Sequence, residues 1–131
     1  MKIIIVDDNN EFREHISFFI THKLKYQVIG SFDSGVEFVK KYSNYNPDIV
    51  LMDISMPDLD GYEVTKMLNW QDEHLKIIAV TMFTDLAYLH KLIEVGFKGC
   101  VYKSDIYNKL SEAVTMVDQG LYYWPESLNE I

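Results

Sequence analysis

Residues 48–53 read Asp-Ile-Val-Leu-Met-Asp, in which four consecutive apolar residues are followed directly by an acidic side chain. Four similar short runs, rich in β-branched residues, occur elsewhere in the chain. Together the five runs cover residues 2–6, 27–32, 48–52, 76–80 and 99–102. An apolar run without polar alternation is typical of a strand buried on both faces of a sheet. Residues 27–32 form the most polar of the longer runs, so we predict that they lie at an edge of the sheet.

Apolar residues at helical spacing separate these runs. One stripe consists of Phe12, Ile16, Phe19 and Ile20, which share one face of a helix. The other stripes are Val36/Val39/Tyr42, Val64/Met67/Leu68, Leu86/Leu89/Leu92/Ile93 and Leu110/Ala113/Val114/Val117. The order of elements is therefore βαβαβαβαβα. It predicts an α/β fold in which helices cover both faces of a parallel sheet, because each parallel crossover needs a covering helix.

The composition limits the function classes. The 131 residues, 48% of them hydrophobic, fit one globular domain. Lys and Arg number 12 against 20 Asp and Glu, and the net charge of −8 argues against direct binding to nucleic acid or to an anionic membrane. The single cysteine, Cys100, excludes an internal disulfide. No apolar run approaches the roughly 18 residues of a membrane span, so we expect a cytoplasmic domain.

Chemically active side chains follow four of the predicted strands. Ligands of open α/β sheets bind beyond the carboxyl ends of the strands, so these residues should share one rim. They are Asp7 and Asp8 after the first strand, Asp53 after the third, Thr81 at the end of the fourth and Lys103 after the fifth. Clustered carboxylates repel one another and resist ionisation unless a cation lies between them. A hard divalent ion such as Mg²⁺, which prefers oxygen ligands, meets this need.

The ordered set of motifs resembles a known family. The motifs are residues 4–9 with Asp7-Asp8-Asn9, residues 47–57 with Asp60-Gly61, Val80-Thr81, and residues 99–104 with Lys103-Ser104. The sequence closely resembles the CheY-like receiver domain of two-component response regulators, over about residues 1–120. The resemblance implies a flavodoxin-like (βα)5 fold, a doubly wound five-stranded parallel sheet with strand order 2-1-3-4-5.

The resemblance also implies the metal ligands. Asp8 would be a direct Mg²⁺ ligand and Asp7 would act partly through water. Asp53 and the backbone carbonyl of Ser55 would complete the set of protein ligands. Mg²⁺ would then offset charge on the transferring phosphoryl oxygens.

The same resemblance makes Asp53 the phosphoacceptor for a phosphohistidine of a sensor histidine kinase. Lys103 is expected to pair with Asp53 and then with the phosphoryl group, and Thr81 is expected to move toward a phosphoryl oxygen. Such a chain is no enzyme in the usual sense, since it catalyses only its own phosphorylation and dephosphorylation. A magnesium-dependent phosphatase of the haloacid-dehalogenase type is the enzymatic alternative. It needs a second acid two residues after the nucleophile, where this chain has Ser55.

One departure from the family concerns its conformational switch. Many receivers have an aromatic residue three places before the lysine, where this chain has Cys100. Alternation along the strand puts Tyr102 on the same face as Cys100. We therefore predict that Tyr102, or Phe83 just after Thr81, presents the changed surface.

The end of the chain suggests a subfamily. Lys103-Ser104 and residues 120–127, Gly-Leu-Tyr-Tyr-Trp-Pro-Glu-Ser, resemble regulators of the NarL/LuxR type, which carry a helix-turn-helix DNA-binding domain after the receiver. Residues 1–121 would form the receiver, and residues 122–131 a tail that starts the linker to an output domain outside this chain. DNA would be contacted only through that domain. A stand-alone receiver that acts by protein–protein interaction remains the alternative. Phe18 and Tyr107 do not fit the inward stripes, so a phosphorylation-dependent homodimer through a helical face is also expected.

Overall fold

The computed structural model describes residues 1–72, 74–82 and 86–126, and strands and helices alternate along this part of the chain. The strands are β1 Lys2–Val6, β2 Gln27–Phe32, β3 Ile49–Met52, β4 Ile77–Thr81 and β5 Gly99–Tyr102. The helices are α1 Asn10–His22, α2 Gly35–Lys41, α3 Gly61–Gln71, α4 Leu86–Val95 and α5 Ile106–Asp118. One-turn 3₁₀ helices occupy Tyr42–Asn44 and Lys103–Asp105. Among the described residues, no helix is long and apolar enough to cross a membrane.

All strand pairs are parallel, and the sheet order is β2-β1-β3-β4-β5. This arrangement confirms the predicted flavodoxin-like order and the edge position of residues 27–32. Alternate residues of β1 point to opposite layers: Ile3 packs with α1 and α5, whereas Ile4 packs with α2, α3 and α4. The three central strands are buried on both faces, which explains why their sequences are continuous apolar runs.

Side-chain caps begin three of the helices at the carboxyl edge of the sheet. Asn9, Ser34 and Asp60 precede α1, α2 and α3, and each side chain accepts a hydrogen bond from the backbone N–H three residues later, at 3.0, 3.2 and 2.9 Å. Such caps satisfy backbone donors that have no partner within the helix. The helix N-termini therefore lie beside the rim that carries the acidic residues.

The last described residues lie against the sheet. Residues 121–126, here called the C-terminal strap, follow α5 and pass along β5, where Tyr123 forms a parallel β-bridge with Gly99. The part of the expected linker that the structure describes, residues 122–126, thus packs on the receiver itself. Residues 127–131 lie outside the described part of the chain.

Gly61 sets how closely α3 approaches the end of β3. A Cβ atom at this position would lie 2.3 Å from the carbonyl oxygen of Asp53 and 3.0 Å from Cα of Ile54. Gly61 also donates its N–H to the carbonyl of Ile54 at 2.8 Å. A side chain here would have to displace backbone at the predicted phosphoacceptor.

Replacing Gly61 with alanine is expected to lower the free energy of unfolding by about 3 kcal/mol, the upper range for overpacking. Urea unfolding measures it. Gly120→Ala is the matched control, because Gly120 has a positive φ of 89° but no atom within 4 Å of the added Cβ. Its cost should be about 1 kcal/mol, from backbone conformation alone. Equal losses in the two variants would contradict the steric role of Gly61.

Candidate functional site

The backbone continues the sheet one residue beyond two strands and so holds two of the predicted acids. The N–H of Asp53 donates to the carbonyl of Val6 at 2.9 Å, and the N–H of Asp7 donates to the carbonyl of Phe32 at 3.0 Å. Asp7 is 1% exposed and Asp53 is 7% exposed. Asp8 follows on the exposed side of the rim. The three acids therefore lie side by side at the ends of β1 and β3.

The acids are close enough to share a cation. Asp7, Asp8 and Asp53 each offer a carboxylate oxygen, and these oxygens lie within 4.8 Å of one another. Oδ1 of Asp7 accepts a hydrogen bond from the N–H of Asn9 at 2.9 Å. Oδ2 of Asp7 is buried and lies 2.8 Å from the ammonium of Lys103. Three carboxylates this close together, two of them buried and one open to solvent, offer the oxygen ligands that a hard divalent ion prefers, so these residues fit Mg²⁺.

Burial raises the pKa of Asp53 to about 7, and the charge of Asp7 adds to the rise. The charge of Lys103 lowers this pKa, Asp8 raises it further, and a hydrogen bond from the N–H of Ile54 lowers it. A carboxyl group with such a pKa is only partly ionised at neutral pH unless positive charge is added. Cation binding would therefore also favour the ionised carboxylate of Asp53, which is the form that can act as a nucleophile.

The structure corrects the partner expected for Lys103. Its ammonium forms an ion pair with Oδ2 of Asp7 at 2.8 Å, rather than with Asp53. Lys103 begins the 3₁₀ turn after β5, and its ammonium lies 4.4 Å from the centre of the Phe12 ring in α1. This path brings the charge to the end of β1. Lys103 still lies close enough to Asp53 to lower its pKa.

Thr81 and the residues around it lie next to this cluster. Thr81 ends β4, is 2% exposed, and pairs in register with Tyr102 of β5. Cys100 is buried and Tyr102 half-buried, and both pack in the layer of α2, α3 and α4, which confirms that they share a face. Phe83 lies outside the described residues, so its predicted part in the switch stays a prediction.

An open groove leads to the site. It has a volume of about 630 Å³ and is lined in part by Asp8, Ser55, Met56, Tyr88 and Lys91. Ser55 is exposed and borders the groove beside Asp8, as its predicted metal-binding carbonyl requires, although that role stays a prediction. The groove leaves the rim accessible to a group from another molecule.

Sequence reasoning missed Arg13, which holds the end of β1 in place. Its guanidinium donates to the backbone carbonyl of Asp7 at 2.6 Å, to the hydroxyl of Ser31 at 3.2 Å and to the side chain of Asn10. These bonds tie α1 to the ends of β1 and β2. Its sequence signal is a basic residue five positions after the acidic pair, in the first turn of the predicted helix.

Asp58 is a second residue that sequence reasoning missed. Its carboxylate accepts hydrogen bonds from the hydroxyl of Ser34 and from the N–H of Val36, the latter at 3.1 Å. These bonds lower its pKa to about 2, the Ser34 hydroxyl being the main cause. Asp58 thereby fastens the loop after Asp53 to the start of α2.

Comparisons with known proteins agree with this geometry. The sequence model of the response regulator receiver domain matches residues 3–115. The transcriptional regulatory protein DegU of Brevibacillus brevis is 31% identical over 123 residues, which are 94% of this chain and 52% of DegU. The transcriptional regulatory protein LnrK of Bacillus subtilis is 33% identical over 128 residues, 98% of this chain and 58% of LnrK. The chain thus spans about half the length of the curated relatives it matches.

Solved structures of similar chains share the fold. A LuxR-family two-component response regulator from Aurantimonas sp. SI85-9A1 superposes with a TM-score of 0.91 at 28% identity, covering 98% of this chain and 92% of that one. A LuxR-family DNA-binding response regulator from Staphylococcus aureus gives 0.83 at 27% identity, covering 89% and 98%. The chain belongs to the response regulator receiver domains of two-component systems, and it is a receiver of the NarL/LuxR type.

Proposed function

We propose that this receiver accepts a phosphoryl group on Asp53 from a phosphohistidine of a sensor histidine kinase. The observation that supports this role is the convergence of Asp7, Asp8 and Asp53 within 4.8 Å of one another beside Lys103. A carboxylate oxygen of Asp53 attacks phosphorus and forms an acyl phosphate. The bond between phosphorus and the imidazole nitrogen breaks, and its electrons stay on the imidazole.

The chain's own residues have separate tasks in this proposal. The Asp53 side chain is held at the open rim by its backbone hydrogen bond to Val6, so a donor can approach it in line. Lys103 exchanges its ion pair with Asp7 for the new phosphoryl oxygens, and the Thr81 hydroxyl donates to another of them. Bound Mg²⁺ supplies positive charge that neutralises the transferring oxygens. In this proposal the chain catalyses only its own phosphorylation and dephosphorylation.

The output is proposed to be transcription control. The relatives DegU and LnrK are described as transcriptional regulatory proteins, and the chain spans only about half of each. A net charge of −8 is unsuited to direct contact with the DNA backbone. DNA binding is therefore assigned to an output domain that follows the receiver.

Intact-mass measurement tests the proposal. Incubation with acetyl phosphate and Mg²⁺ should add one phosphoryl group to the chain, and a metal chelator should prevent the addition. The adduct should disappear in hydroxylamine, which cleaves acyl phosphates. A chain that gains no mass under these conditions, or gains it equally in the chelator, would refute the proposed chemistry.

Removing Asp8 is expected to abolish Mg²⁺ binding at the rim. Asp8 is the exposed member of the acidic cluster, and its loss leaves the buried Asp7, already paired with Lys103, and Asp53. In an NMR titration, the amide signals of residues 53 and 54 should shift with Mg²⁺ in the wild type but not in Asp8→Ala. Asp33→Ala is the control, because Asp33 is an exposed acid that follows β2 at the same edge of the sheet. Matching titrations for Asp8→Ala and the wild type would place the metal elsewhere.

Phosphorylation is further proposed to promote a homodimer through the outer face of α1 and α5. Phe18 is 63% exposed and Tyr107 is 52% exposed, and Tyr107 meets Phe19 edge-on at 5.0 Å between ring centres. Exposed aromatic side chains on adjoining helices favour association through their burial. Light scattering with beryllofluoride, a phosphoryl mimic, should show a dimer that Phe18→Ser with Tyr107→Ser abolishes. Trp70→Ser, which removes a 91% exposed aromatic from α3, should leave it intact. A strict monomer in both states rejects the dimer for this chain.

A further inference from the structure

The C-terminal strap is joined to β5 by backbone hydrogen bonds. The N–H of Tyr123 donates to the carbonyl of Lys98 at 3.1 Å, and the carbonyl of Tyr123 accepts from the N–H of Cys100 at 2.9 Å. The strap thus pairs with the beginning of β5 as a neighbouring parallel strand would. Gly99 permits this approach, because a Cβ there would lie 2.8 Å from the Tyr123 carbonyl oxygen.

The side chains of the strap pack on both faces of the sheet. Tyr123 packs in the layer of α1 and α5, whereas Trp124 packs in the opposite layer, with Cys100 and Tyr102. The ring of Tyr122 stacks on Trp124 with 6.3 Å between centres and an angle of 14°. The ammonium of Lys98 lies 5.9 Å from the centre of the Tyr122 ring. Alternation of this kind shows that the strap is fitted to β5 by both backbone and side chains.

An open cleft runs beside the strap. It has a volume of about 530 Å³, lies between the strap, β5 and α5, and its lining includes Cys100, Tyr102 and Trp124. The half-buried Trp124 borders this cleft, so closure of the strap on β5 would cover more of its ring. An apolar ring that enters such a cleft gains contacts and loses exposure to water.

The strand beneath the strap also leads to the candidate site. In the register between β4 and β5, Cys100 pairs with Ala79 and Tyr102 pairs with Thr81. Lys103, the ion-pair partner of Asp7, follows Tyr102 directly. The strap therefore contacts β5 only three residues before Lys103, on the strand next to Thr81.

We propose that the strap transmits the state of Asp53 to whatever follows the receiver: its docking on β5 tightens, with Trp124 moving into the cleft, when Asp53 is phosphorylated. The inference rests on the proposed function and names the segment that carries the phosphorylation signal out of the receiver. A shift of Thr81 toward the phosphoryl group moves the paired end of β5, and the strap follows because its backbone is bonded to that strand. In the unphosphorylated state the strap only pairs with the edge of β5.

Two measurements on the full chain test the coupling. Trp70→Phe leaves Trp124 as the sole tryptophan, so its fluorescence reports the strap alone. Beryllofluoride with Mg²⁺ should shift the emission of Trp124 to shorter wavelength, as its ring leaves water. The Cys100 amide, whose acceptor is the Tyr123 carbonyl, should exchange its hydrogen at least about fivefold more slowly.

Coupling between two sites is reciprocal, so a variant that weakens the docking of the strap on β5 should also weaken the binding of beryllofluoride. Gly99→Ala, which places a methyl group against the Tyr123 carbonyl, and Trp124→Ala should each lower the apparent affinity for beryllofluoride about fivefold or more. Leu121→Ser alters an exposed side chain of the same strap and should change nothing.

The outcomes separate this inference from the function on which it rests. In one outcome, beryllofluoride shifts the NMR signals around Asp53, but Trp124 emission stays constant and the Cys100 amide exchanges at the same rate or faster. This result would overturn the strap's role and leave Asp53 as the phosphoacceptor. If Asp53 fails to respond at all, the proposed function falls and the strap inference with it.

Discussion

Replacing Asp53 with asparagine is expected to abolish phosphoryl transfer to this chain from acetyl phosphate. The amide keeps the shape of the side chain but offers no anionic oxygen to attack phosphorus. The neighbouring Asp7 cannot substitute, because its oxygens are held by Lys103 at 2.8 Å and by the N–H of Asn9 at 2.9 Å. Intact mass after incubation with acetyl phosphate and Mg²⁺ gives the result directly.

Asp33→Asn is the matched control for this variant. Asp33 also follows a strand at the carboxyl edge of the sheet, but it is exposed and lies outside the group of acids that could share a metal ion. Its loss should leave the phosphoryl gain at the wild-type level. A phosphoryl group that still appears on the Asp53→Asn chain would show that another side chain is the acceptor.

Without divalent cations, the Asp53→Asn variant is expected to be more stable than the wild type at pH 8 but not at pH 4. The pKa of Asp53 rises from 3.8 to about 7 on folding, chiefly through burial and secondly through the charge of Asp7. A raised carboxyl pKa favours the unfolded state above pH 3.8, where the unfolded chain releases the proton first. The penalty grows until about pH 7 and is then constant. At about 1.4 kcal/mol per pKa unit it is on the order of 4 kcal/mol.

Urea unfolding in a chelator at several pH values measures this effect. The difference in free energy of unfolding between Asp53→Asn and the wild type should widen as the pH rises from 4 to 7. Adding Mg²⁺ should stabilise the wild type at pH 8 more than the variant, because binding to the folded state adds to its stability. Parallel pH profiles for the two proteins would show that Asp53 is not destabilised by its site.

Asp58→Asn supplies a control of opposite sign. The hydrogen bond from Ser34 lowers the pKa of Asp58 to about 2, so its contribution is present above pH 3.8 and is lost as the pH falls toward 2. Its removal should therefore leave the slope between pH 5 and pH 8 unchanged. A change of slope in that window would point to a general charge effect rather than to Asp53.

The order of strands and helices was predictable because it depends on short-range patterns. Residues 49–52 are apolar throughout, since β3 is covered by helices on both faces, whereas the more polar residues 27–32 form the edge strand β2. The placement of Asp7, Asp8 and Asp53 at one rim then followed from strand polarity alone. All parallel strands end at the same edge, so acids that directly follow them must meet there.

The ion-pair partner of Lys103 could not be predicted from the sequence in this way. Asp7 and Asp53 both lie at the rim, and the ion pair forms with Asp7 because the lysine side chain passes over Phe12 of α1. That path depends on how α1 is packed against the sheet. The anchoring of Asp7 by Arg13 likewise needs the ends of β1 and β2 to be adjacent.

The sequence by itself determined the element order, the edge position of β2 and the set of residues at the rim, because hydrophobic periodicity and strand direction act over a few residues at a time. Only the tertiary structure decided which acid Lys103 holds, and that residues 121–126 return to close the edge of β5. The bond between Tyr123 and Cys100 joins residues far apart in the chain. It exists because α5 ends beside β5 and because Gly99 leaves room for the backbone of the strap.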